Sequence, residues 1–408
     1  MQEEEFVKKI STLGGSVYIA GGWVRDTFLK KEGKDKDYVI SGVNEKAFLA
    51  VFPEVRKIGR SFPVYLMEIE GMVSEIAFAR KEKKEGQGYR GFQITYDISV
   101  KIVDDLYRRD TTMNSMAIEL PNKMLIDPYG GRRDIAQKCI RATSVHFRED
   151  SVRALRAARQ AAELGFSIED GTIALMRACR DEILLESQDR FLRELNRALQ
   201  SKQPVLFFRA LQKAGLLEVV FPEIYALVGK IQNYACHPEG DAFEHTMLVL
   251  EKVAAETESV AIRFAALVHD IGKGTTSINV LPHHYGHEIR GEEILSIWNR
   301  RMTLPKLWLQ CGLLVICEHM RAPLLNKAGK IVELLLRIEK SKMSFAGFNM
   351  IILADHGVLP EYLSCYKKYI SAILRVNGKN CPKQLQGKDI GRWIRNEQIK
   401  AYLSIKQE

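Results

Sequence analysis

The hydrophobic pattern of this 408-residue chain changes period near Ala142, and that change limits the fold more than any other feature. Before it, short β-like runs alternate with helical segments. Residues 16–20 read as a strand, 23–30 as a helix and 36–41 as a second strand. Residues 64–69 and 72–79 read as a hairpin joined through Gly71, and 103–110 and 135–138 as helices. From Asp150 to about Leu227 apolar residues recur at helical spacing, as in Val152, Leu155, Ala158 and Ala162. The remainder stays helical and holds eight of the nine histidines, all after residue 236. The pattern predicts an α/β head with a mixed sheet, followed by an all-α remainder.

A chain of this length divides into about two to four domains. Its 46% hydrophobic and 27% charged content is that of a globular protein rather than a disordered or membrane one. Sixty Lys plus Arg against fifty-one Asp plus Glu give a net charge of +9, which favours a polyanionic partner without saying which. Seven scattered cysteines form no Cys-x-x-Cys pair, so reduced thiols are expected. The start of the chain is acidic where a signal peptide would be basic, and no apolar run reaches membrane-span length. A cytoplasmic location and no membrane partner are expected.

Asp35 and Asp37 lie one residue apart at the expected second strand. Side chains at i and i+2 of a strand share a face, so both carboxylates would point the same way. Hard oxygen donors in that arrangement suit Mg²⁺. With Gly21-Gly22 before them and Arg108-Arg109-Asp110 after them, they describe metal-assisted phosphoryl or nucleotidyl transfer. Asp35 and Asp37 are therefore read as catalytic and Mg²⁺-binding, with Glu75 on a neighbouring strand as a candidate third carboxylate. The glycines let backbone amides approach a phosphate with no Cβ in the way, so Gly22 and Arg25 are read as nucleotide-binding. Arg109 reads as a phosphate or ribose contact, and Asn114 as a brace for its loop. The glycine-rich run 85–91 reads as a mobile loop beside the acidic site.

Gly21-Gly22-Trp23-Val24-Arg25-Asp26, Asp35-Lys36-Asp37 and Arg108-Arg109-Asp110-Thr111-Thr112-Met113-Asn114 resemble the signature of the class II tRNA nucleotidyltransferase and bacterial poly(A) polymerase family. Asp127-Pro128-Tyr129-Gly130-Gly131 and the run from Glu149 to Arg159 extend the likeness, which spans nearly the whole chain. Trp23, Thr111, Ser151 and Asp189 depart from the residues usual in that family. The resemblance implies ATP and CTP as substrates, a tRNA 3′ end as primer and pyrophosphate as product. It leaves open whether the protein is a monomer or a homodimer.

Asp150 and Arg153 would share a helical face at i and i+3. An aspartate accepts hydrogen bonds and an arginine donates them. Cytosine and adenine each show an amino donor beside a ring acceptor, whereas guanine and uracil reverse that order. An Asp/Arg edge therefore suits C or A, and each mismatched buried group costs roughly 1–3 kcal/mol. The resemblance gives these positions the same role, as a protein template, and Arg156 and Arg159 would help to hold the nucleotide.

Two activities share such a head. Gly59-Arg60-Ser61-Phe62-Pro63-Val64 is similar to the pattern of CCA-adding enzymes, and retention of the loop 80–91 goes in that family with full CCA addition. Poly(A) synthesis or A-only addition is the alternative. Further on, His245, His269-Asp270 and Asp355 have the order of an HD phosphohydrolase site. Imidazoles with carboxylates suit a transition metal such as Ni, Mn, Co or Fe. His287 and His319 are further candidates, as are their neighbours His283 and His284. The likeness here is to longer bacterial CCA-adding enzymes, which implies phosphatase, 2′-nucleotidase and 2′,3′-cyclic phosphodiesterase activity.

The expected organisation is a catalytic head over residues 1–141, a helical neck for nucleotide selection and RNA binding over 142–227, an HD domain over 228–345 and a helical tail over 346–408. A relic head beside a working hydrolase, and an RNA-binding module without catalysis, are the competing readings. Intact Asp35, Asp37 and Arg109 weigh against the first.

Overall fold

The structure, a computed structural model, describes residues 1–31, 36–58, 62–86, 92–235 and 237–407. It forms two compact units, residues 1–194 with 206–220 and residues 195–205 with 221–408.

The first unit has eleven described strands, the first nine being β1 (Ser16–Ala20), β2 (Tyr38–Ser41), β3 (Arg56–Lys57), β4 (Val64–Ile69), β5 (Met72–Phe78), β6 (Lys81–Lys84), β7 (Phe92–Thr95), β8 (Ala117–Leu120) and β9 (Met124–Ile126). Seven of them make one sheet in the order β3-β4-β5-β2-β1-β8-β9. The β2/β5 pair is parallel and the other pairs antiparallel, so the sheet is mixed as expected. Glu70 and Gly71 both take positive φ (54° and 78°), the mirror-type turn whose twist suits a two-residue hairpin between β4 and β5.

Both faces of the sheet centre are covered. Val39 packs with Tyr18, Ala20, Val100, Ile102 and Leu106, so the helix Ile102–Tyr107 lies over one face. Tyr38 points to the opposite face, edge-on to Phe6, while Phe48 packs against Tyr65 and Phe78. The strand expected at 36–41 starts at Tyr38, and the helix expected at 23–30 is Gly22–Phe28.

The segment 80–91 is not simply a loop. β6 and β7 pair antiparallel as a separate two-stranded sheet, and residues 87–91 lie outside the described set. Charge pairing explains the strand: Glu82 binds Arg80 and Arg108, and Lys84 binds Glu182 and the Glu149 carbonyl. Gly59, Arg60 and Ser61 of the Phe-Pro-Val pattern also lie outside the described residues.

Helices continue the first unit from Val152–Leu164. A helix was expected from Glu149, but Val145–Glu149 is a 3₁₀ turn and Asp150 is extended (φ −116°, ψ 103°). The Asp150 carboxylate accepts from the Val152 amide (3.2 Å), the local competition by which an aspartate stops the chain from being helical.

In the second unit, helices Ala242–Glu256, Val260–Val268, His287–Met302, Lys306–Glu318 and Phe345–His356 surround a buried polar cluster. Close backbone approach sets their spacing. A Cβ added at Gly272 would stand 1.9 Å from the His287 carbonyl oxygen, so no other residue lets this turn rest on that helix.

Candidate functional site

Asp37 ends the segment entering β2, is exposed, and accepts at its carbonyl from the Ala20 amide (3.1 Å). Strand alternation puts it on the Val39 face, under which the helix Ile102–Tyr107 runs. Asp35 lies outside the described residues. The parallel register Tyr38↔Ile76, followed one residue back, sets the exposed Glu75 beside Asp37. β5 is interior to the sheet, between β4 and β2.

Arg109 follows the covering helix and donates through Nε and Nη2 to Asp105 Oδ2 (3.2 and 2.9 Å). A Cβ at Gly21, whose φ is +87°, would stand 2.7 Å from Arg109 Nη1. The glycine turn thus makes room for this guanidinium at the end of β1. Arg25 donates through Nη1 to Asn114 Oδ1 (2.9 Å) and through Nε to Asp26 (2.9 Å). Asn114 Nδ2 in turn donates to Asp110 Oδ1 (3.0 Å), so it braces Arg25 and Asp110 rather than Arg109.

Two buried carboxylates anchor these arginines. Burial alone would raise Asp105, but Arg108 and Arg109 outweigh it and hold the group down at about 2. Burial likewise acts upward on Asp110, and Arg156 and Asn114 keep it far below the ordinary carboxylate range. Arg156 Nε and Gln160 Nε2 donate to Asp110 Oδ2 (2.8 and 3.1 Å). A continuous chain of hydrogen bonds therefore runs from the glycine turn through Arg25, Asn114 and Asp110 to the helix Val152–Leu164.

On that helix the expected pair is arranged differently. Arg190 Nη2 donates to both oxygens of Asp150 (3.0 and 3.1 Å) and its Nη1 to Glu186 (2.7 Å). Arg153 is nearly buried, donates through Nη1 to the His146 carbonyl (2.6 Å), and has Glu82 3.6 Å from Nη2. Arg159 is also buried, between Glu194 and Glu163 at 2.5 Å each. Its guanidinium fastens the Gln188–Gln200 helix to its own.

The second unit draws His245, His269, Asp270 and Asp355 together, with His287 and His319. His245 Nε2 is 3.0 Å from Asp355 Oδ1 and 3.7 Å from Asp270 Oδ2. His269 Nε2 is 3.2 Å from Asp270 Oδ2 and 4.0 Å from Asp355 Oδ1. His287 and His319 approach Asp270 Oδ1 at 3.2 and 3.3 Å. Buried His269 Nε2 and Asp355 Oδ2 make no hydrogen bond, while Asp270 Oδ2 is ion-paired with Lys273. Such orphaned ligand atoms fit a metal ion. Among the described residues, His245, His269 and Asp270 form one group able to hold a cation, and Asp270, His287 and His319 another. His283 instead stacks on Tyr285, and His284 bonds Thr276 and the Ile231 carbonyl.

Sequence reasoning did not single out Asp105, Arg190, Glu239 or Lys273. Asp105 stands four residues before Arg109 on a helix, a spacing that could have found it. Glu239 accepts from His245 Nδ1 (2.6 Å), and Lys273 Nζ is ion-paired with Asp270 Oδ2 (2.6 Å) and donates to Gln232 Oε1 (2.6 Å). Arg190 and Glu239 are placed by tertiary packing, which no spacing rule reports.

The chain matches three families: "Poly A polymerase head domain" over residues 17–141, "Probable RNA and SrmB- binding site of polymerase A" over 165–227 and "HD domain" over 242–338. A multifunctional CCA protein of Nitrosococcus oceani is 40% identical over 333 residues, 79% of each chain. One from Acinetobacter baumannii is 35% identical over 408 residues, 96% of this chain and 98% of its own. In fold the chain resembles the Bacillus stearothermophilus CCA-adding enzyme solved with CTP, with a TM-score of 0.68, 20% identity, and coverage of 98% of this chain and 92% of that one. No described helix is long and apolar enough to cross a membrane. From end to end, head and HD segment together, this chain belongs to the family of multifunctional CCA proteins.

Proposed function

We propose that the chain adds C, C and A to the 3′ end of tRNA from CTP and ATP, releasing pyrophosphate, and that its second unit is a metal-dependent phosphohydrolase. The observation that carries the reading is the alignment over 96% of the chain with a relative named for CCA. On this reading residues 1–141 form the catalytic head, 142–227 the selecting neck, 228–345 the HD domain and 346–408 the tail.

Asp35 and Asp37, with Glu75 beside Asp37, would hold Mg²⁺; their carboxylate oxygens are the hard donors that ion takes. The bound ion would neutralise phosphate charge and favour ionisation of the attacking hydroxyl. Gly22 leaves the backbone open to phosphate. Arg109 and Arg25, held by Asp105 and Asn114, offer fixed donors to the triphosphate without reorganising on binding. Arg156 fixes the neck helix to Asp110 beneath them. Asp150, braced by Arg190, presents acceptor oxygens to the amino group of C or A, and Arg153 supplies the donor half of the edge. Arg159 contributes by holding the neck helices in register. Net positive charge favours the tRNA, gripped through phosphates and shape.

In the second unit, His245, His269, Asp270 and Asp355 would hold a transition metal such as Ni, Mn, Co or Fe, and the bound metal would supply polarisation of a phosphate ester toward water. Glu239 fixes the His245 tautomer so that Nε2 carries the lone pair. On this reading the protein works on tRNA in the cytoplasm.

Radiolabelled CTP and a tRNA lacking its last three nucleotides test the transferase reading. Two cytidines followed by one adenosine are expected. Incorporation of adenosine alone would replace it with A-addition or poly(A) synthesis.

A further inference from the structure

We infer that Lys36 is a positioning residue for the acids of the head. Clipped to Glu3 and Glu70 on the covered face of the sheet, it fixes the stretch of chain that presents Asp37 on the opposite face. This inference rests on reading the head as a Mg²⁺ centre.

One oxygen of Glu3 receives two side chains, Lys36 Nζ at 2.8 Å and the Tyr38 hydroxyl at 2.5 Å. Because both reach the same atom, Lys36 and Tyr38 share a face, and Asp37 between them is turned the other way. The shared face is the one that the helix Glu3–Thr12 covers, with Phe6 edge-on to Tyr38. Lys36 Nζ also donates to Glu70 Oε2 (3.1 Å) and stands 5.8 Å from the centre of the Trp23 ring. A single ammonium thus joins the first turn of the helix Glu3–Thr12, the β4–β5 turn and the helix Gly22–Phe28.

These posts are fixed without the clip. Phe6, Val7 and Ile10 bury one face of the first helix, and Glu70 is set in its turn at φ 54°. The stretch that carries Asp37 is the part in need of holding. It lies before the first residue of β2, and its carboxylate must stand beside Glu75, the neighbour given by the parallel register. Like charges so gathered repel until a cation joins them. A backbone already held in place spares that cation the cost of ordering its ligands.

The clip also disposes of a charge. A loose lysine next to a metal-binding aspartate would pair with the acids and repel a divalent ion. Here the ammonium is drawn behind the sheet and outnumbered by two carboxylates. Burial acts upward on Glu3, yet Lys36 and Tyr38 outweigh it and hold the group below the ordinary carboxylate range. Lys36 and Glu3 each keep only 17% side-chain exposure, which limits screening of the pair by salt.

Lys36→Met in the full chain tests the clip. The Mg²⁺ concentration for half-maximal CTP incorporation should rise about tenfold, with KM for tRNA at the parent value. Glu3→Ala, thirty-three residues away, should give the same rise, the double variant no more than Lys36→Met alone, and Lys36→Arg should restore the parent's Mg²⁺ dependence. Backbone cutting by Fe²⁺ with ascorbate and peroxide reads the site without turnover. Cuts near residues 35–37 are expected in the parent and should fade at limiting Fe²⁺ in Lys36→Met and Glu3→Ala. Unchanged Mg²⁺ dependence would overturn the clip, whether or not kcat falls, because a merely structural ion pair would lower kcat alone. A parent cut near 35–37 that adds neither C nor A would overturn the CCA reading, and loss of the cuts in the variants would still carry the clip. A parent not cut there would overturn the Mg²⁺ centre and the clip together. Should Lys36→Met fail to fold, Glu3→Gln, which keeps the shape and drops the charge, carries the same comparison.

Discussion

The two centres of this chain are built on opposite electrostatic plans. In the first unit every described arginine of the proposed site already has an acidic or carbonyl partner. Asp105 holds Arg108 and Arg109, Asp110 holds Arg156, and Asp150 holds Arg190. The acids expected to meet Mg²⁺, Asp37 and Glu75, are exposed. In the HD unit Asp270 is buried, and buried ligand atoms of His269 and Asp355 have no hydrogen-bond partner. A site for a large polyanion needs donors held still in the open; a site for a small cation needs acceptors gathered out of water. The contrast is the one that a transferase centre and the proposed phosphohydrolase centre would each require.

The largest effect that could break this contrast is expected at the acids read as Mg²⁺ ligands. The Asp35→Ala, Asp37→Ala double variant should lose CTP incorporation by about 10³-fold or more, while hydrolysis of a 2′,3′-cyclic phosphate continues at the parent rate. Equal loss of both activities would mean that the centres are not separately built. Next comes Glu239→Ala, which removes the group orienting His245. Metal affinity at the HD unit, read by titration with Mn²⁺, should fall about 10–100-fold with CCA addition unchanged.

A third effect separates the plans by pH. The folded-state value of Asp105 is depressed to about 2 from an ordinary 3.8, so its stabilising contribution of about 2 kcal/mol is complete above about pH 4. That contribution is lost as pH falls through 2. The gap in denaturant stability between parent and Asp105→Asn should accordingly be constant near neutrality and shrink below pH 4. The smallest effect is expected at Arg190→Ala, which frees Asp150 without removing it. Discrimination of CTP over UTP, read as a ratio of kcat/KM, should drop about tenfold, with the change mostly in KM for CTP.

Much of this was legible in the chain because the relevant signals are local. The hairpin through Gly71, the break in period near Ala142 and the His-Asp pair at 269 and 270 each follow from neighbouring residues. What was misread depends on distant partners. Helical spacing carried the neck helix back to Glu149, but Asp150 leaves the helix by capping Val152 and meets Arg190, forty residues on. Glycines suggested a loop over 80–91, whereas Glu82 and Lys84 are drawn into strand pairing by Arg108 and Glu182. The gathering of His287 and His319 on one oxygen of Asp270 likewise needs the helices folded together, which spacing along the chain cannot convey.

Gly272 has a practical consequence. It has no side chain to ligate or titrate, yet even one methyl group there would collide with the His287 carbonyl and lever the two halves of the ligand set apart. Alanine at that position would be a wedge, silencing the proposed hydrolase by geometry while leaving every histidine and aspartate in the gene intact.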